Sequence, residues 1–166
     1  AAIDDEGWFH TGDIAVMDNE GFLTITDRKK DLIVTAGGKN IAPQNIENLI
    51  RTLPLISQVM VYGDRRKYLT ALITLNEQEL RNFAERENLE DVEPAGLSDH
   101  PKILQAVSDQ VQAVNSRLAP YEQIKHFTIL PQDFTEESGE LTPTLKLRRR
   151  EITKHYGDKL DGLYDS

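Results

Sequence analysis

Two β-rich runs, Ile56–Tyr62 and Leu69–Leu75, are joined by only the six residues Gly63-Asp64-Arg65-Arg66-Lys67-Tyr68. Such a pair reads as an antiparallel hairpin with a basic tip, most simply a solvated loop. The patterns around it are helical. Upstream, Pro43 suits a first helical turn, and Ile46, Leu49, Ile50 and Leu53 make an apolar stripe over residues 44–53. Downstream, Asn76 is placed to cap a helix carrying Leu80, Phe83 and Ala84, with Glu79 in the third position. Pro101 opens another helix, with Ile103, Leu104, Val107, Val111, Val114 and Leu118 on one face. Residues 125–130 form a further strand candidate, and Ile152, Tyr156, Leu160 and Leu163 recur at helical spacing in a last helix that should pack on the sheet. Residues 90–98 read as an acidic loop, and residues 132–139 as a polar, mobile one. The expected fold is α+β, a small, mostly antiparallel sheet flanked by helices.

The first third has a different character. Residues 14–17 and 22–25 are short apolar runs around Asp18-Asn19-Glu20-Gly21, which is turn chemistry. A lone two-stranded hairpin is marginal in water, so this segment should lean on another body. Residues 27–31 form a charged knot expected to be solvated. The β-branched residues 33–35 read as a short strand, and Gly37-Gly38 permits a tight turn and close approach of a ligand to the backbone.

Composition removes several function classes. The net charge of −9 argues against non-specific binding to nucleic acid or to an anionic membrane surface. There is no cysteine, hence no disulfide, thiolate metal site or thiol nucleophile, and four scattered histidines make no metal site. No apolar run approaches the roughly 20 residues of a membrane span. The first residues carry acids and no apolar core of a signal peptide, so the expected location is cytoplasmic, with peripheral association at the inner membrane surface open. The chain lacks an initial Met and enters directly into a motif, which reads as a piece of a longer protein.

Taken singly, the candidate functional residues have plain readings. Asp13 suits a turn after Thr11-Gly12, Lys30 a solvated linker, and Gly37-Gly38-Lys39 a glycine-rich turn. Lys146 is one more surface lysine beside Arg148, Arg149 and Arg150.

Three stretches in order change that reading. Gly7-Trp8-Phe9-His10-Thr11-Gly12-Asp13 resembles the seventh core motif of the adenylate-forming enzymes, which include acyl-CoA synthetases, luciferases and peptide-synthetase adenylation domains. Residues 26–47, with Gly37-Gly38-Lys39-Asn40-Ile41-Ala42-Pro43-Gln44-Asn45-Ile46-Glu47, resemble the eighth. Leu141-Thr142-Pro143-Thr144-Leu145-Lys146-Leu147-Arg148-Arg149 resembles the tenth in its long-chain form. The wording is most similar to the long-chain fatty acyl-CoA synthetases, and the likeness covers nearly the whole chain.

The resemblance implies an organisation and a chemistry. Residues 1–29 would be the tail of a large N-terminal adenylating domain, and residues 30–166 a mobile C-terminal domain. The parent would use fatty acid, ATP with Mg2+, and CoA. Asp13 and Arg28 would hold the ATP ribose, since a carboxylate can accept from both hydroxyls of a diol. Lys30 would be the hinge, and the Gly37-Gly38 backbone would line the CoA pantetheine tunnel. Lys39 would approach the phosphates, and Lys146 would be the catalytic lysine of adenylation. Thr-Pro-Thr-Leu-Lys replaces the Ser-Gly-Lys of many relatives. A fatty acyl-AMP ligase, a luciferase-like enzyme or a non-catalytic domain of the same fold are the competing expectations, and the chain alone is expected to be inactive.

Overall fold

The computed structural model describes residues 3–89 and 94–165 of the chain. Its centre is a three-stranded sheet of order β5-β6-β7, where β5 is Ile56–Tyr62, β6 Leu69–Leu75 and β7 Ile124–Leu130. β5 and β6 pair antiparallel, as their short connection requires, with Met60 opposite Leu72. β7 lies parallel to β6, with Leu72 opposite Thr128. A parallel neighbour needs a long crossover, and three helices supply it: α2 (Glu77–Arg86), α3 (Pro94–Leu97) and α4 (Pro101–Asn115).

Both faces of the sheet are covered, and the strand period of two divides the side chains between them. Val59, Val61, Leu69, Ala71, Ile73 and Ile129 share one core with residues of α1 (Pro43–Ile50) and α4, notably Ile46, Ile50, Ile103 and Val107. Met60, Leu72 and Leu130 face the other way, where α5 (Arg149–Gly162) sets Ile152 and Leu160 against them, with Phe134 and Leu141 filling in. The last helix therefore packs on the sheet as its spacing implied.

Two small antiparallel pairs precede this body. β1 (Asp13–Met17) and β2 (Leu23–Arg28) form the expected first hairpin. Its turn is closed by the Asp18 carboxylate, which accepts from the amides of Glu20 and Phe22 at 2.9 Å each. β3 (Ile33–Val34) and β4 (Asn40–Ile41) bracket the glycine turn, where Gly38 takes φ +74°. That turn is hooked onto the β5–β6 loop, since Arg65 N–H donates to the Val34 carbonyl at 2.8 Å and Ala36 N–H to the Arg66 carbonyl at 2.9 Å.

Five sequence expectations need correction. Asp27, placed in a solvated knot, is only 3% exposed. Its carboxylate accepts from the Gln44 amide at 3.2 Å, satisfying the first turn of α1 where the N-cap residue Ala42 offers no side-chain oxygen. Helix α4 stops at Asn115 rather than Leu118, because the buried Asn115 side chain pairs with both backbone groups of Ile124 and joins the helix end to β7. Of the expected acidic loop, residues 90–93 lie outside the described residues, whereas Pro94–Leu97 form a helical turn, a proline at the first position being pre-set in φ. The 132–139 segment is a bonded turn anchored by buried Phe134, with Ser138 N–H on Thr135 Oγ1 at 3.0 Å and Glu140 N–H on the Thr135 carbonyl at 3.0 Å. The basic tip is also partly built in, because Arg66 stacks 4.8 Å from the Tyr164 ring and pairs with Asp161. No helix among the described residues is long and apolar enough to cross a membrane.

Candidate functional site

Asp13 and Arg28 are brought together by the first hairpin. They begin β1 and end β2, and they stand opposite each other in the register. Arg28 Nε donates to Asp13 Oδ1 at 2.7 Å, and Arg28 Nη2 reaches the Thr11 carbonyl at 3.4 Å. Asp13 N–H in turn donates to Thr11 Oγ1 at 3.1 Å. The Arg28 hydrogen bond and charge hold the Asp13 carboxyl below the usual carboxylate range, against some desolvation, and the Lys146 charge acts in the same direction. One Asp13 oxygen is engaged by Arg28; a carboxylate keeps further acceptor sites for a ligand. Beside the pair, Thr11, Gly12, Arg28, Lys29 and Lys30 line an open cavity of about 430 Å3. Lys30 lies in a single 3-10 turn, Lys29–Asp31, between β2 and β3, and is exposed. Its neighbour is fastened by the Lys29 amide on the Gly12 carbonyl at 2.7 Å.

Lys146 sits on a short hairpin just before α5. Leu141 and Leu147 bridge its base, Thr142 N–H donates to the Lys146 carbonyl at 2.9 Å, and Lys146 N–H donates to Thr142 Oγ1 at 3.0 Å. The side chain is exposed. Leu145, at the place of glycine in the Ser-Gly-Lys form, takes φ +58° and is 63% exposed. The loop thus keeps a left-handed turn that glycine adopts freely and leucine does not.

The other predicted residues lie apart from this pair. Gly37 and Gly38 are exposed in the β3–β4 turn, and a methyl added at Gly37 would meet nothing closer than Thr35 Oγ1 at 3.9 Å. Lys39 Nζ lies 5.5 Å from the centre of the Tyr121 ring. Among the described residues no group of three or more His, Asp or Glu is gathered that could hold a metal ion.

Besides Asp27, two more buried carboxylates escape the sequence pattern. Glu47 is 4% exposed and accepts from the Val61 amide at 2.7 Å and from Arg149 Nη2 at 2.6 Å, while Arg149 Nη1 reaches the Val61 carbonyl at 3.2 Å. Burial pushes the Glu47 carboxyl up, against the pull of Arg149. Pro43, Ile46, Glu47 and Ile50 are the buried residues of α1. Their spacing was the available signal, since it puts Glu47 on the core face. Arg149 is therefore committed to the scaffold rather than to a phosphate. The second carboxylate, Glu140, lies behind the Lys146 hairpin. Burial alone would raise its carboxyl, but hydrogen bonds from Ser138, His155 and Tyr156 hold it below the usual range.

Comparison with known proteins matches residues 30–166 to the family model described as the AMP-binding enzyme C-terminal domain. The chain is 40% identical over 161 residues to the long-chain-fatty-acid–CoA ligase FadD15 of Mycobacterium tuberculosis, covering 96% of this chain and 27% of that protein. It is 39% identical over 183 residues to the long-chain-fatty-acid–CoA ligase ACSBG1 of Rattus norvegicus, covering 98% and 25%. Among solved structures, the adenylation domain of a carboxylate reductase from Mycobacterium chelonae superposes with a TM-score of 0.80 at 29% identity, over 99% of this chain and 24% of that one. The chain thus spans about a quarter of the length of the curated relatives it matches.

Proposed function

Because the chain belongs to the AMP-binding enzyme C-terminal domain family, we propose that it is the mobile C-terminal part of an ATP-dependent long-chain fatty acid–CoA ligase acting in the cytoplasm. In the first half-reaction the fatty acid carboxylate attacks the α-phosphorus of ATP, giving acyl-adenylate and pyrophosphate. In the second, the CoA thiol attacks the acyl carbon of that mixed anhydride, giving acyl-CoA and AMP. Residues 1–29 belong with the larger adenylating domain, and residues 30–166 swing between the two steps about Lys30.

Each residue has a physical task. Asp13, kept ionised by Arg28, accepts from the ribose hydroxyls. Lys146 brings a compact cation to the fatty carboxylate and the α-phosphate, orienting attack and offsetting charge that grows in the transition state; it is not a general base. After rotation the Gly37-Gly38 backbone takes its place and leaves the pantetheine arm a path free of side chains. Lys39 has the weakest support for a phosphate role, since it is drawn to Tyr121.

The observation that carries the reading is the Asp13–Arg28 pair with the Lys146 charge acting on it. Lys146 lies more than 100 residues from Asp13 in sequence, yet its charge is felt at the Asp13 carboxylate, and both residues stand in stretches that resemble motifs of adenylation chemistry. The test uses the full-length protein with Lys146→Ala and follows the half-reactions separately. Adenylate formation should fall by several orders of magnitude, while transfer from supplied acyl-adenylate to CoA survives. Persistence of both would return Lys146 to the surface. The 166-residue chain alone should release no AMP with fatty acid and ATP.

A second reading has support in the likeness to a carboxylate reductase adenylation domain. The acyl group would then pass to a carrier-bound thiol rather than to CoA. Offering the full-length protein both acceptors separates the two.

A further inference from the structure

The Lys146 hairpin reaches into solvent, so what fixes its base decides where the ammonium group stands. Both ends of the hairpin converge on Glu140. Leu141 follows it directly, and on the return path Arg148 N–H donates to the Glu140 carbonyl at 2.7 Å. The Glu140 side chain is committed inward, with the residue 3% exposed. Ser138 Oγ donates to Oε2 at 2.7 Å and His155 Nδ1 stands 3.1 Å from Oε1, with Tyr156 acting on the same carboxylate.

These donors come from two directions. Ser138 belongs to the turn before the hairpin, itself closed on Thr135. His155 and Tyr156 belong to α5, at the point where the helix departs from helical geometry, with Tyr156 at φ −118° and ψ 19°. A carboxylate suits a donor on each side because it accepts at both oxygens and donates at neither; an amide keeps only one oxygen for the purpose.

From this we infer that Glu140 is the positioning residue for Lys146, clamping the base of the hairpin to α5 and the 135–139 turn so that the ammonium group is delivered in register. The inference rests on the proposed role of Lys146. Glu140 touches no reacting atom and acts through the backbone of its neighbours. A displacement of about 1 Å at a positioning group can cost a hundredfold in rate. The effect should fall on adenylate formation alone, because transfer to CoA does not use Lys146.

The experiment is run on the full-length protein, with both half-reactions measured for Glu140→Ala, Glu140→Gln and Lys146→Ala. Glu140→Ala should lower the maximal rate of adenylate formation by roughly ten- to a hundredfold and leave acyl transfer within about threefold. Glu140→Gln keeps one accepting oxygen and should recover part of that loss. Adenylate formation within threefold of the unaltered protein, or an equal fall in both half-reactions, would overturn the clamp. Ser138→Ala and His155→Gln each remove one bond from the same carboxylate and stand in should Glu140→Ala fail to fold. If neither slows adenylate formation, the clamp is refuted. Lys146→Ala separates the two readings: if it leaves adenylate formation intact the Lys146 assignment fails, and if it abolishes adenylate formation while the Glu140 series does not, only the clamp fails.

Discussion

Leu145 carries the clearest local cost in the chain. A left-handed backbone costs a non-glycine residue about 1–2 kcal/mol, and with the side chain largely in solvent little packing offsets it. Glycine would relieve the strain and return part of the gain as unfolded-chain entropy, about 0.5–1 kcal/mol. Leu145→Gly should therefore raise the unfolding free energy by roughly 0.5–1 kcal/mol, read from the denaturation midpoint of the chain. A loss of stability would show that the leucine makes contacts outweighing its backbone. The same residue marks a limit of reading sequence. The Thr-Pro-Thr-Leu-Lys wording obscures the backbone of this turn, yet Thr142 Oγ1 and the Leu141–Leu147 bridge rebuild it without glycine.

Between elements, the Glu47–Arg149 contact joins α1, β5 and α5 across the sheet. Removing the carboxylate leaves Arg149 and the Val61 amide without their acceptor, and breaking a buried pair from one side costs about 3–5 kcal/mol. Arg149 keeps some solvent contact, so Glu47→Ala should cost nearer 2–3 kcal/mol. A calorimetric melt of the chain checks this, and a change under 1 kcal/mol would mean that water replaces the carboxylate. At this scale the sequence was legible where periodicity spoke. The β5 and β6 runs, the Asn76 cap and the Pro43 and Pro101 helix starts stand where the pattern put them. It was silent where long-range polar contacts decide. Asp27, Glu47 and Glu140 look like surface acids until the fold brings a helix start, an arginine or a histidine to each. Of the candidate site, the hairpin register sets Asp13 opposite Arg28, a contact that no sequence pattern announces. Lys39 and the glycine turn stand apart from that pair, Lys39 beside the Tyr121 ring and the glycines exposed between β3 and β4.

As a whole, the chain is a self-contained core carrying an unfinished hairpin. Leu23, Ile25, Val16 and Met17 of β1–β2 remain largely exposed, together with Phe22 and Trp8 beside them, exposed apolar surface of the kind that marks an interaction site. The buried Asp27 carboxylate gives this arrangement a temporal consequence. Asp27 precedes Lys30 in the chain and Gln44 follows it, so a rotation about Lys30 that carries α1 along must first part the two. On the proposed hinge the bond would act as a catch, and a catch sets a dwell time. A helix cap of this kind is worth about 1 kcal/mol, so Asp27→Ala should make departure from this pose about fivefold faster, read as shorter dwells between dyes on the two domains of the full-length protein in single-molecule fluorescence. Unchanged dwells would mean that the pose is timed elsewhere. On the proposed mechanism, the clock of the two-step reaction would be wound by a carboxylate buried away from solvent.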